Sequence, residues 1–221
     1  MNQLQSKTLI QLHKYSWWLQ NANRDIINRL DSICLLLEKN KSDSLAKRLE
    51  DICFGKECDY SSASICDIDG EQRRQIWHFI NELNACSWLI SHDHKNILFI
   101  PRQKTKTPDL LSTLNKQTWY TEVKTLEMPR DDEEFLVNKK FEARKVDTNF
   151  RSGLSNKLEY FADDANEKFE SIKAENKILI VYFTPSILAL LQKEEVKKQT
   201  AELITQLEDK YKFQINLIFT I

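Results

Sequence analysis

The sequence predicts a mixed α/β protein: helices at the N-terminus, then the order α-β-β-β-α-β around a mixed sheet, then one more helix and strand. Three observations predict it. Apolar residues recur at three- and four-residue steps over 9–37, over 76–83 and again over 158–169. Short segments rich in aromatic and β-branched residues crowd between 86 and 124. Lys177–Phe183 carries an unbroken apolar run of the length of a strand buried on both faces.

The elements follow in order. Residues 1 to about 52 read as helices, with Leu9, Leu12 and Trp17 or Trp18, then Ile26, Ile27, Leu30, Ile33 and Leu37, returning to one face. Lys39-Asn40-Lys41-Ser42-Asp43 is a polar break and Ser44–Ile52 a short further helix. This region shows no recognisable chemistry and reads as a helical cap or a surface through which a homodimer can form. Cys53 to Gly70, with scattered Cys, Ser and Gly, reads as a linker. The next helix has Glu71 in its first turn and Ile76, Phe79, Ile80 and Leu83 on its apolar face; Glu71, Gln75, His78 and Glu82 share a neighbouring stripe. Cys86–Ser91 and Asn96–Ile100 read as a first strand or strand pair, Asp109–Leu114 as a second and Trp119–Lys124 as a third. Asn115-Lys116-Gln117 is short enough to join the second and third as an antiparallel hairpin. After a charged loop, Ser155–Ile172 reads as a helix capped by Ser155, with Leu158, Phe161, Ala162, Ala165 and Phe169 inward. Lys177–Phe183 is then a strand, Ser186–Tyr211 helical in one or two pieces, and Phe213–Ile221 a last strand.

Composition narrows the function. The 221 residues suffice for one main domain, with room for a small second one, and the net charge of −1 does not mark a nonspecific polyanion binder. An enzyme that meets DNA through a local groove can still be neutral overall. Three Gly leave no GxGxxG and no GxxxxGK[ST] phosphate loop. Five Cys, an odd number, with no apolar signal segment, lead to the expectation of reduced thiols in a cytoplasmic protein. No apolar run approaches the ~20 residues of a membrane span, so no membrane partner is expected.

The chemistry concentrates in Pro108-Asp109 and Glu122-Val123-Lys124. Side chains alternate across a strand, so Glu122 and Lys124 share a face, and Asp109 on the paired strand can face them. Converging carboxylates repel unless a cation lies between them, and Mg²⁺ is a hard ion suited to such oxygens. A lysine beside that ion can orient a water or stabilise the charge that develops at phosphorus.

This combination resembles the PD-(D/E)xK nuclease superfamily: Pro108-Asp109 matches its PD element, Glu122-Val123-Lys124 its ExK element, and the α-β-β-β-α-β order over about residues 70–184 its restriction-endonuclease-like core. The resemblance covers roughly half the chain. It divides the chain into a helical N-terminal region, 1–60, and a nuclease-like domain, 61–221. It implies phosphodiester hydrolysis dependent on Mg²⁺ (or Mn²⁺), with nucleic acid, most simply DNA, as the partner. The role it suggests is an endonuclease of restriction, repair or phage defence. A catalytically inactive nuclease-fold module that binds nucleic acid or protein is the alternative. By resemblance, Asp109, Glu122 and the Val123 carbonyl hold the metal and Lys124 serves the attacking water. The superfamily often adds an acid from its first helix. Topology favours Glu71 over Glu82, although the usual spacing falls nearer Gln75 or His78, neither acidic. The helix over 155–172 usually contributes a polar residue, for which Lys157 and Lys168 are candidates. Arg102, Lys104 and Lys106 before Asp109, with Lys157 and the Arg144, Lys145 and Arg151 cluster, are candidates for sequence-independent phosphate contacts.

The remaining clusters read more plainly. Cys53, Cys58, Cys66 and Cys86 are too widely spaced for most structural zinc sites and read as free thiols. His92-Asp93-His94 reads as a solvated turn.

Overall fold

The computed structural model describes residues 5–7, 9, 10, 24–39, 44, 70–101, 106–126, 150–183 and 193–219. These form four helices and five strands: α1 (Arg24–Lys39), α2 (Gly70–Ser91), β1 (Lys95–Phe99), β2 (Leu110–Leu114), β3 (Gln117–Leu126), α3 (Phe150–Ser171), β4 (Asn176–Phe183), α4 (Lys193–Tyr211) and β5 (Gln214–Phe219). The strands lie in one mixed sheet in the order β1-β2-β3-β4-β5. The chain divides into two compact units, 1–121 and 122–221, with the division inside β3.

In the first unit α1 buries Leu30, Ile33, Cys34 and Leu37, the i, i+3, i+4, i+7 stripe of an amphipathic helix. Ser6 anchors the segment before it: the amides of Gln5 and Ser6 donate to the Asp31 carboxylate, and Ser6 Oγ donates to Glu38 at 2.8 Å while accepting the Leu9 N–H at 3.0 Å. Helix α2 is buried on every side over residues 79–86, including Asn81, Glu82 and Asn84. Phe79 meets Phe99 of β1 with ring centroids 6.2 Å apart. The β2–β3 hairpin turns through Asn115 and Lys116, both at positive φ, the requirement of a type I′ turn. Its antiparallel register runs from Leu114↔Gln117 to Leu110↔Thr121. On β1, the Phe99 N–H donates to Ser44 Oγ at 3.0 Å.

In the second unit α3 buries Leu154, Leu158, Phe161, Ala162, Ala165 and Phe169. Strand β4 is inaccessible on both faces from Ile178 to Phe183, as expected for a strand covered twice. It pairs in parallel with β5, from Ile178↔Gln214 to Phe183↔Phe219, with α4 as the crossover that parallel strands need. Phe169 packs edge-to-face on Phe213 at 5.4 Å, Glu208 Oε1 accepts the Ile215 N–H at 2.7 Å, and the Tyr211 hydroxyl donates to Asp163.

Three expectations are corrected. Cys86–Ser91 is not a strand but the last turns of α2. Its Trp-Leu-Ile content suits a sheet locally, yet Cys86 and Leu89 extend the buried face of Phe79 and Leu83 at helical spacing, and tertiary burial overrides propensity. Ser155 does not cap α3, which begins at Phe150, a turn earlier. His94 is not solvated: it is 6% exposed. The reason is the helix end. Asp93 takes a left-handed conformation (φ 64°), and the His94 and Asp93 amides donate back to the carbonyls of Leu89 and Ile90, a Schellman motif that folds His94 inward. Helix α3 ends the same way, with Lys173 at φ 52° and Ala174 bonding to Phe169. The linker over 53–69, the loop over 127–149, and residues 17, 18 and 186–192 lie outside the described residues. No described helix is long and apolar enough to cross a membrane.

His94 Nδ1 shares a 2.8 Å hydrogen bond with Ser112 Oγ, and its ring meets Trp119 edge-on at 5.7 Å. Burial, and then the neighbouring His92, push its pKa below the ordinary histidine value of 6.5. The unfolded chain therefore takes up a proton before the native one does, so stability is full above pH 6.5 and falls as pH drops below it. Urea unfolding between pH 7.5 and 5 is expected to show this loss, with a slope of at most ~1.4 kcal/mol per pH unit from this group. His94→Gln should flatten the dependence.

Candidate active site

Strand β3 sends Glu122 and Lys124 to one face and Val123 to the other, by the two-residue period of a strand. Helix α3 brings Asp164 and Lys168, one turn apart on one helix face. The four side chains meet. Lys124 Nζ is 2.9 Å from Glu122 Oε1 and 2.5 Å from Asp164 Oδ2. Lys168 Nζ donates to the same Glu122 Oε1 and lies 3.8 Å from Asp164 Oδ2. Glu122 is 1% exposed, whereas Asp164, Lys124 and Lys168 are 16, 18 and 17% exposed. A carboxylate withdrawn from water to this degree needs cationic hydrogen-bond partners to remain ionised, and the two ammonium groups supply them.

Burial works to lower the Lys124 pKa, but the charge of Glu122 and the hydrogen bonds to Asp164 and Glu122 outweigh it and hold the group above the ordinary lysine value. Lys124 is thus a fixed ammonium at neutral pH. It can donate hydrogen bonds and stabilise negative charge, and it cannot accept a proton as a general base.

Asp109 stands half-buried immediately before β2, after a buried Pro108. Its amide donates to the carbonyl of Thr121, the residue before Glu122, at 3.2 Å, and its own carbonyl accepts the Ile100 N–H at 2.9 Å. Val123 is buried at 8%. Of the two acids weighed on α2, Glu82 is buried at 4%, while Glu71 lies in the first turn with its side chain outside the described residues. Lys106 is exposed, and Arg102 and Lys104 lie outside the described residues. Of the two lysines weighed on α3, the structure brings Lys168 to Glu122. Lys157 is instead exposed, its ammonium 5.3 and 5.2 Å from the ring centroids of Tyr160 and Phe161.

Asp164 is the member that sequence reasoning missed. The signal was present: an acid amid Phe161, Ala162 and Ala165, four residues before Lys168, is placed to meet cations on a neighbouring element. Among the described residues no three His, Cys, Asp or Glu side chains group as a metal site. The donor types of Asp109, Glu122 and the Val123 carbonyl nevertheless fit Mg²⁺, being hard oxygens, and Glu122 already attracts cations in the form of two ammonium groups.

Lys124→Met should destabilise the metal-free protein by about 1–3 kcal/mol, less than the full loss of a buried pair because Lys168 still holds Glu122. Because its pKa is raised on folding, the lysine's contribution is complete below 10.5, its unfolded value, and is lost only as pH rises through the higher native value. Urea midpoints of wild type and variant should differ by a constant amount from pH 7 to about 10 and converge above that. Compared with protein-family models, curated proteins and solved structures, the chain matches none.

Proposed function

We propose that the chain is a Mg²⁺- or Mn²⁺-dependent nuclease that hydrolyses phosphodiester bonds in DNA, an endonuclease of restriction, repair or phage-defence type. The observation that carries this reading is the buried Glu122 held against a Lys124 that is charged at neutral pH on one strand face, within the Pro108-Asp109…Glu122-Val123-Lys124 pattern. Asp109, Glu122 and the Val123 carbonyl would hold the ion, with Glu71 as a fourth donor. When bound, the ion supplies a polarised phosphate oxygen and an acidified water. Lys124 supplies a fixed positive charge and N–H donors beside Glu122, suited to orienting that water and to the charge that develops on the phosphate oxygens. Asp164 holds Lys124 from the helix side at 2.5 Å, which limits the directions its ammonium can take. Arg102, Lys104, Lys106 and Lys157 are the proposed phosphate contacts, sequence-independent in kind.

One observation favours a second reading, a nuclease-fold module that binds nucleic acid or protein without turnover. The quartet of two carboxylates and two ammonium groups is charge-balanced as it stands.

Plasmid, linear and single-stranded DNA incubated with the protein and Mg²⁺ or Mn²⁺, with and without EDTA, separates the two. Metal-dependent cleavage should fall by at least ~100-fold in Asp109→Ala and Lys124→Ala. Absence of cleavage of any DNA or RNA by wild type, with no metal bound in calorimetry, would leave the binding module as the function.

A further inference from the structure

An ammonium group held against Glu122 Oε1 repels a metal ion brought to the same carboxylate. We propose that Lys168 is a built-in counter-cation that closes Glu122 in the metal-free protein, and that Asp164 is the site to which it withdraws when a divalent ion binds. The inference rests on the nuclease reading above and concerns the regulation of that site.

Charge and geometry carry it. Both lysines converge on one atom, Glu122 Oε1, the most buried carboxylate of the four-residue cluster. Two acids and two ammonium groups sum to zero, so a divalent ion added to the intact cluster would leave positive charge uncompensated in a poorly solvated place, even with Asp109 as a further ligand. Like charges a few Å apart repel strongly where water does not screen them. The repulsion is eased when one ammonium moves away from the carboxylate that the ion takes, and the geometry shows which can move. Lys124 is already shared, 2.9 Å from Glu122 and 2.5 Å from Asp164, on a strand whose backbone fixes its origin. Lys168 donates to Glu122 and stands 3.8 Å from Asp164, its own i−4 neighbour on α3. A modest rotation of its four-carbon stem moves the ammonium from Glu122 to Asp164 without breaking any backbone hydrogen bond. Glu122, relieved of one of its two ammonium contacts, then meets the ion while Lys124 stays in place. Asp164 is thus a positioning residue for both lysines.

The two residues should move metal affinity in opposite directions, which a merely structural ion pair would not do. Mn²⁺ binding by titration calorimetry and by the Mn²⁺ paramagnetic resonance signal, without DNA, reads this independently of turnover. Lys168→Met should bind Mn²⁺ about tenfold tighter than wild type, the factor that ~1.4 kcal/mol of lost competition corresponds to. Asp164→Asn, which removes the resting place, should bind several-fold weaker. The rise in thermal midpoint on adding Mn²⁺ should be larger for Lys168→Met than for wild type, because the variant leaves Glu122 under-compensated until the ion arrives. Metal-dependent cleavage by wild type, together with unchanged or weakened Mn²⁺ binding in Lys168→Met, would overturn this inference and leave the nuclease reading intact. Equal weakening in both variants would overturn it as well. No Mn²⁺ binding by wild type or either variant would overturn both.

Discussion

A carboxylate that is 1% exposed and contacted by two ammonium groups is the constraint on which the second unit is organised. Glu122 cannot be left to itself inside a protein, and Lys124 and Lys168 answer its charge at Oε1. The face alternation of β3 brings Lys124 alongside, and the four-residue spacing on α3 brings Asp164 and Lys168 as a pair. Between these polar contacts α3 buries Leu158, Phe161, Ala162, Ala165 and Phe169. The ion cluster interrupts an otherwise apolar packing surface. Such clusters are a poor means of stabilising a fold, since apolar residues of similar volume are often as good or better. A leucine at 122, matching the buried Leu126 on the same face, would satisfy the packing. Packing alone therefore does not account for an acid at 122.

The first unit shows how a chain with three glycines makes sharp reversals. Asp93, Asn115 and Lys116 take the left-handed conformation here, and Lys173 and Lys212 do the same in the second unit. In each case the turn motif rather than a glycine supplies the compensation, through amides that fold back on the last helical carbonyls or through the hairpin ladder. The consequence reaches further than the turns. It is the reversal at Asp93 that carries His94 inward onto Ser112 and Trp119, making a buried titratable group out of a segment whose composition reads as solvated.

The contrast between what could and could not be read from residues alone is physical. Strand β3 was legible because Trp119, Tyr120, Thr121 and Val123 suit a pleated surface on both faces, and β4 because a continuous apolar run of that length fits only a doubly covered strand or a buried helix turn. The end of α2 was not legible, because Cys86–Ser91 has the local composition of a strand and only its packing with Phe79 and Leu83 decides the matter. At the site, the pairing of Glu122 with Lys124 follows from strand period alone. The choice of Lys168 over Lys157 required the helix to be set in rotation about its axis, and Lys157 lies near the ring of Tyr160 instead. Asp164 escaped notice because one acid among several on a charged helix has a plain explanation as a solvated residue, and its place four residues before Lys168 takes on meaning only with Lys124 beside it.

The charge balance of the cluster bears on how a polyanion could be engaged at all. The chain has a net charge of −1, so no long-range field draws a phosphate backbone toward it, and attraction has to arise locally. A cluster that sums to zero supplies none. Lys124 remains cationic at neutral pH, but Glu122 and Asp164 cancel its field at any distance greater than their own separation. Only the arrival of a further cation at Glu122 converts the neutral cluster into a positive one, and under the nuclease reading that is the step that makes the site attractive to a phosphodiester. Metal and substrate binding would then be coupled by electrostatics alone, each raising the affinity for the other by the same factor. The coupling needs no moving domain, since its source is the change in sign of one small buried group of charges.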